Sequence, residues 1–411
     1  MSTAKAKTIL VIMDGLGDRP RAEFDGLTPL EAAATPNMNR LATEGISGLM
    51  HTLGRGRVPG SDVAHLSLFG YDPDKCYSGR GPIEVRGLGI PLEHGDIAFR
   101  GNLGTVGDDD KIVDRRAGRI ADVTELVSGL DGMMVDDVKF IVRPGTAHRA
   151  GVIMRGPGLS AQITDADPHE SGVPIRDPKP LDDTSEARRT ADVLARFLKK
   201  SHQVLSASPV NAARVKANEL AANYLLLRGA GYYHAIPPFS ERYHGQKAAC
   251  IAGGGLYKGI GAYLEMDLIE VPGATAQPNT DVRAKFTYAV EALKHHDFVF
   301  VHVKPTDTYG HDGDAAGKKA FIERIDRELE VLMGVKDTLV ILSADHSTPC
   351  ELKEHSGDPV PLLIHGPGVR KDSVTEFGER ACMAGGLGHF NGVELMPQIM
   401  NLLGLMKLEG A

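Results

Sequence analysis

The sequence predicts an α/β protein: a parallel-sheet domain that carries a metal site, with a smaller α/β domain inserted into it. Three observations lead there. Apolar runs of strand length alternate with helical stretches, as they do along a parallel sheet. Several of those runs give way to Asp or His, and open parallel sheets place their sites outside the carboxyl ends of the strands. Finally, the 411-residue chain is longer than one core normally supports, and its middle block lacks the metal-ligand motifs found at both ends. The expected division is a discontinuous domain over residues 1–85 and 245–411, with an inserted domain over 86–244.

The first element is TILVIMDGLGD, a buried strand that ends at Asp14 and passes into a glycine turn. Alone, Asp14 and Asp18 would read as turn residues. Other strands ending in ligand-type residues raise Asp14 above that reading. Next comes RVPGSDVAHLSLFGYDP. Gly60 permits a sharp turn, Ser61 falls where an N-cap would be, and Val63, Leu66 and Leu68 begin an apolar helical face. A helix N-terminus is a natural phosphate cradle. A serine hydroxyl there becomes a nucleophile if a metal ion ionises it, so Ser61 is the candidate nucleophile.

The middle block offers strand-like KFIVR and GVIMRG, then helical SEARRTADVLARFLKKS and NAARVKANELAANYLLLRG. Its segment IVDRRAGRI sets Asp114, Arg115, Arg116 and Arg119 close together. Basic clusters in loops are commonly solvated surface. Arg149, Arg228 and, beyond the block, Lys258 are further cationic candidates. His169 in TDADPHESG is of a type that serves as acid or base, although DADP is equally an ordinary turn.

The C-terminal part alternates strand DFVFVHVK, helix AAGKKAFIERIDRELEVLMG, strand TLVILS and strand VPLLIHG, with helix VELMPQIMNLLG closing the chain. Asp307 and His311 stand four apart in a glycine-containing turn after the first of these strands. Asp345 and His346 follow TLVILS, and His355 precedes PVPLLIHG. Mixed carboxylate and imidazole ligands at strand ends suit a pair of Mn2+, Zn2+ or Mg2+ ions.

Taken together, MDGLGD, TPNMNRLATEG, PGSDVAHLSLFGYDP, YSGRGPIE, IVDRRAGR, LYKGIGAYLEM, TDTYGHDGD, SADHS and EHSGDPVPLLIHG closely resemble the cofactor-independent phosphoglycerate mutases of archaeal type. That family belongs to the alkaline phosphatase superfamily. The resemblance implies an alkaline-phosphatase-like fold and two divalent metal ions (Mn2+, Co2+, Zn2+ or Mg2+). One would be held by Asp14, Ser61, Asp345 and His346, the other by Asp307, His311 and His355. It also implies interconversion of 3-phosphoglycerate and 2-phosphoglycerate through a phosphoserine at Ser61, without added 2,3-bisphosphoglycerate. Arg115 and Arg119 are implied as substrate clamps with Asp114 beside them, and Arg228 and Lys258 fit the family's other cationic positions.

A formal net charge of −8 and the lack of a basic stripe argue against a nucleic-acid partner and leave a small-molecule substrate. Cys76, Cys250, Cys350 and Cys382 are scattered without CxxC spacing, which predicts reduced thiols and a cytoplasmic protein. MSTAKAK leads into a core strand, so no signal peptide is expected, and no apolar run is long enough to span a membrane. The oligomeric state is not encoded legibly. Competing readings on the same scaffold are a phosphopentomutase, a phosphomonoesterase or a mutase-like homoserine kinase. IVDRRAGR favours phosphoglycerate among them. A non-catalytic scaffold would tolerate loss of Ser61 or a ligand, and the whole set is present. A sulfatase-like hydrolase would need a different nucleophile context from PGSDVAHLS.

Overall fold

The computed structural model describes residues 6–410. The chain forms two compact units, one comprising the chain through Tyr77 and from Pro237 onward, the other Ser78–Ile236. The strands in chain order are β1 (Lys7–Met13) and β2 (Ile46–His51), then β3 (Ile97–Val106), β4 (Ile112–Asp114), β5 (Met134–Val135), β6 (Val138–Pro144), β7 (Arg149–Arg155) and β8 (Tyr224–Tyr232). The C-terminal part adds β9 (Ala248–Ile251), β10 (Asp267–Leu268), β11 (Phe298–Val303), β12 (Thr338–Ser343), β13 (Val360–His365) and β14 (Gly388–Asn391).

Among the described residues, the first unit holds an eight-stranded sheet in the order β10-β9-β11-β1-β12-β13-β2-β14. β1 lies between β11 and β12 and is parallel to both, with Leu10 opposite Phe300 on one side and Ile341 on the other. All three strands are buried along nearly their whole length, which is why they read as unbroken apolar runs rather than alternating ones. β13 departs from the expected parallel sheet, being antiparallel to β12 and to β2. A parallel return needs a crossover of a dozen or more residues, usually a helix. Residues 344–359 contain no helix and simply turn the chain back. The start of β13 therefore lies at the same sheet edge as the ends of β1, β11 and β12.

The second unit is built on an antiparallel sheet, β4-β3-β7-β6-β5, with β8 also paired to β3. Helix Ser185–Ser206 covers it through Leu194, Phe197 and Leu198, and the Phe197 ring stacks on Phe140 at 3.8 Å. The stretch NAARVKANELAANYLLLRG, expected to be helical, splits into helix Pro209–Lys216 and strand β8. Asn218, at φ 62°, ends the helical path, and Leu225–Leu227 is a short apolar run that periodicity cannot distinguish from a buried helix.

The unit boundaries, at 77/78 and 236/237, lie upstream of the division drawn at 85/86 and 244/245. Helix Gly81–Gly87 packs on β3 so closely that a Cβ on Gly81 would sit 1.9 Å from the Ala98 carbonyl oxygen. At the other boundary, Phe239 packs edge-on against Phe69 and, with its ring tilted, against Phe298 at 4.8 Å. Among the described residues no helix is long and apolar enough to cross a membrane, and all four cysteines are free.

Asp18, which as a sequence feature reads as a turn residue, is buried and holds the sheet edge together. The fully buried Lys318 ammonium donates to Asp18 Oδ2 at 2.8 Å and to the carbonyls of Thr348 and Gly17 at 3.0 and 3.2 Å. The Asp18 carboxylate also accepts from the Cys350 amide. Breaking one side of a buried pair leaves an uncompensated charge. Lys318→Met is expected to cost about 3–5 kcal/mol, read as a lower denaturation midpoint with an unchanged slope.

Candidate metal centre and active site

β1 delivers Asp14 to the sheet edge, and Gly15, at φ 61°, turns the chain away. A Cβ on Gly15 would lie 2.7 Å from that of Asp307, so glycine is what lets this exit approach the next element. That element is helix Pro305–Asp312, where a turn had been expected. Pro305 suits its first position and Gly313, at φ 75°, caps its end. Helical i,i+4 spacing then puts Asp307 and His311 on one face. β12 delivers Asp345 and His346, and His355 lies in the link to β13.

Two groups form. Asp307, His311 and His355 make one, and Asp14, Asp345 and His346 the other, with the ligand-type atoms of each within 4.8 Å of one another. In the first, Asp307 Oδ1 lies 3.4 Å from His311 Nε2 and 3.5 Å from His355 Nε2. In the second, His346 Nε2 lies 3.3 Å from Asp345 Oδ2 and 3.5 Å from Asp14 Oδ1. Each imidazole is oriented through its other nitrogen. Nδ1 of His311 meets the Lys353 carbonyl at 2.8 Å, that of His355 the Pro59 carbonyl at 2.8 Å, and that of His346 the Thr348 hydroxyl at 3.1 Å. An Nδ1–H donated to a carbonyl leaves the Nε2 lone pair facing the group, the arrangement metal-binding histidines adopt.

Ser61 joins the second group, its Oγ standing 3.2 Å from His346 Nε2. It is not the N-cap. Gly60 is, and Ser61 is the first residue of helix Ser61–Leu68, which has no side-chain cap. The hydroxyl is thus left for the site rather than spent on the helix end.

The donor set fits cations. Asp14 Oδ1 and Asp345 Oδ2 are buried without a hydrogen-bond donor, although buried carboxylate oxygens ordinarily have one. Burial, reinforced by the Asp14 charge, pushes the Asp345 carboxyl up to about 7. Burial acts the same way on Asp14, but the Lys304 ammonium and the His302 imidazole outweigh it and hold that carboxyl well below the usual range. Burial also opposes ionisation of Asp307, as does Asp14, and the neighbouring His355 imidazole and Lys304 ammonium overcome both. His346 is pushed down to about 3 by burial and so is neutral, as a ligand must be.

Several residues of this centre escaped the sequence reading. Asp14 Oδ2 accepts from Tyr257 Oη, from His302 Nε2 at 2.9 Å, and from Lys304 Nζ at 3.2 Å. Lys304 also bonds Asp307 Oδ2, so a single ammonium links one carboxylate of each group. Thr348 Oγ1 donates to Asp307 Oδ1 at 2.7 Å. A signal was present for two of them, since a His and a Lys in FVFVHVKP interrupt an otherwise apolar buried strand and its exit.

The inserted unit brings some of the remaining candidates together. Arg115 makes a two-pronged bond to the buried Asp167 at 3.1 and 2.6 Å. Arg228 lies 3.9 Å from the same carboxylate and 3.1 Å from His169 Nδ1. His169 is held at φ 67° by Asp167 Oδ1, which accepts from its amide, and by Asp165 at its Nε2. Such left-handed non-glycine backbone is typically retained at functional sites. Arg100, across the ladder from Arg228 and bonded to Glu84, is pushed down to about 10 by burial, with Arg228, Arg80 and Arg149 adding to the effect. Adjacent guanidiniums in such excess favour an anion. Asp114 instead accepts from the amides of Arg116 and Gly118 and serves its own turn. Arg119 sits at φ 61° in that turn, and Arg149 opens β7. Lys258, in the metal-bearing unit, is engaged by Glu270 at 2.7 Å.

The metalloenzyme superfamily pattern matches residues 6–402. A 2,3-bisphosphoglycerate-independent phosphoglycerate mutase of Methanococcus maripaludis is 45% identical over 408 residues, covering 98% of this chain and all of that one. One from Methanocaldococcus jannaschii is 45% identical over 412 residues. Among solved structures, a Pyrococcus horikoshii protein superposes with a TM-score of 0.85 at 40% identity over the full length of both chains. The cofactor-independent phosphoglycerate mutase of Thermoplasma acidophilum superposes at 0.71 with 37% identity, covering 97% of this chain. The two ligand groups and the serine beside them therefore sit in a chain that belongs to the metalloenzyme superfamily and, within it, to the family of 2,3-bisphosphoglycerate-independent phosphoglycerate mutases.

Proposed function

We propose that this chain interconverts 3-phosphoglycerate and 2-phosphoglycerate through a phosphoserine at Ser61. The observation that carries the reading is Ser61 Oγ, free of any capping bond and 3.2 Å from His346 Nε2 beside the Asp14 group. Asp14, Ser61, Asp345 and His346 would hold one divalent ion and Asp307, His311 and His355 the other, with Mn2+, Co2+, Zn2+ or Mg2+ all compatible with these donors. When bound, such ions lower the pKa of the serine hydroxyl and neutralise charge on the phosphoryl oxygens.

The protein's own groups do the rest. Ser61 Oγ attacks phosphorus, the bond to the glycerate oxygen breaks, and the proton lost by the serine is balanced by the one gained by glycerate. The glycerate then presents its other hydroxyl and takes the phosphoryl group back from Ser61. Amides at the start of helix Ser61–Leu68 face the anion. Arg115, Arg228 and Arg149 retain glycerate between the two transfers, with Arg119, Asp114, His169 and Lys258 as the remaining candidates. Retention separates a mutase from a phosphatase.

The reading needs no added 2,3-bisphosphoglycerate and no nucleic-acid or membrane partner, and the free cysteines suit the cytoplasm. Metal-loaded protein given 3-phosphoglycerate alone is expected to feed enolase in a coupled assay. No signal with any of the four ions would sink the reading.

A further inference from the structure

Helix Ser61–Leu68 turns a second side chain toward the Asp14 group. His65, one turn after Ser61, is fully buried. Its Nδ1 stands 2.7 Å from the Ser61 carbonyl oxygen and 3.6 Å from Asp345 Oδ2. Its Nε2 is buried with no hydrogen-bond partner. Around the ring stand those of Phe69, Tyr257, Phe300 and His302, with centroids 5.2–6.4 Å away. That cage suits an apolar side chain better than an imidazole, because a nitrogen buried without a partner loses its hydration and gains nothing.

What the imidazole supplies is the Nδ1 edge. A helix carbonyl at position i already serves the amide at i+4, so a second donor adds little to the helix itself. The bond does fix the ring, and it leaves the Nδ1 edge 3.6 Å from an Asp345 oxygen that has no hydrogen-bond donor. His302 stands in a similar relation to the other carboxylate, with Nε2 on Asp14 and Nδ1 unpartnered. Each buried imidazole thus leaves one nitrogen unpartnered while the other stands at a carboxylate of the same group.

We propose that His65 is a positioning residue that ties the backbone carrying Ser61 to the Asp345 carboxylate. It touches no reacting atom and acts through these two residues. The inference rests on the reading of Ser61 as nucleophile and Asp345 as ligand. Partners of this kind typically contribute 10- to 100-fold in metal affinity or activity. An asparagine at 65 retains a nitrogen donor at the δ position, whereas leucine fills a similar volume with none.

The test compares wild type, His65→Leu and His65→Asn by calorimetric titration of the metal-free proteins with Mn2+, by turnover of 3-phosphoglycerate, and by thermal unfolding of the metal-free proteins. For His65→Leu we expect one class of Mn2+ sites to weaken about 10- to 100-fold and kcat to fall by a similar factor. KM should hold, and the melting temperature should be unchanged or higher. His65→Asn should stay within about fivefold of wild type in affinity and kcat. His65→Leu with wild-type affinity and kcat overturns the proposal, as does a parallel loss of kcat and melting temperature in both variants, which marks a purely structural role. If His65→Leu does not fold, His65→Asn decides: retained affinity and kcat support the proposal, and loss of both overturns it. A wild type without turnover would defeat the proposed function, while the Mn2+ titrations would still decide the role of His65.

Discussion

Ser61→Ala is expected to lose mutase activity by a factor on the order of 10⁴ or more while leaving the fold intact, because a methyl group cannot accept phosphate and the helix loses no cap. An N-cap serine would behave differently, since its loss would cost about 1 kcal/mol of stability. Gly60 holds that position here, so the metal-free variant should melt within about a degree of metal-free wild type. Circular dichroism melts beside the enolase-coupled rate separate the two outcomes. A Ser61→Ala protein that keeps activity would remove the serine from the chemistry altogether.

Stripping divalent ions with a chelator is expected to abolish turnover and to lower the melting temperature, with both restored on adding Mn2+. The direction follows from the charge balance. Asp14 and Asp345 lie together in a buried site with Asp14 Oδ1 and Asp345 Oδ2 undonated, and burial with the neighbouring Asp14 charge pushes the Asp345 carboxyl up to about 7. An ion present at 100 times its dissociation constant stabilises the folded state by about 2.7 kcal/mol per site. For a unit of this size that corresponds to roughly 5–10 °C per site. Calorimetric scans before and after chelation measure it, and a melting temperature indifferent to both chelator and Mn2+ would show that these groups hold no ion of consequence.

Much of the framework was legible because a few strand exits carry it. β1, β11 and β12 are buried on both faces, so their runs stand out, and each gives way within a few residues to a ligand-type side chain. Other parts were illegible for physical reasons. β13 resembles its parallel neighbours in composition, and only the helix-free link from 344 to 359 reverses it. Leu225–Leu227 in β8 reads equally as buried helix. Ser61 looks like a cap because serine commonly is one, and only the backbone assigns that position to Gly60. The outer partners were hardest of all. His65, Tyr257, His302 and Lys304 come from three separate segments, and nothing along the chain announces that their polar atoms converge on Asp14 and Asp345.

The central claim is that Ser61 carries the phosphoryl group between the two positions of glycerate. The direct measurement is mass spectrometry of the peptide containing Ser61 after metal-loaded protein is mixed with 3-phosphoglycerate and quenched in acid within the first turnover. Phosphate on Ser61, absent when substrate is omitted, is the expected result. Turnover with Ser61 unmodified at every quench time, or phosphate trapped on another side chain, would contradict the account.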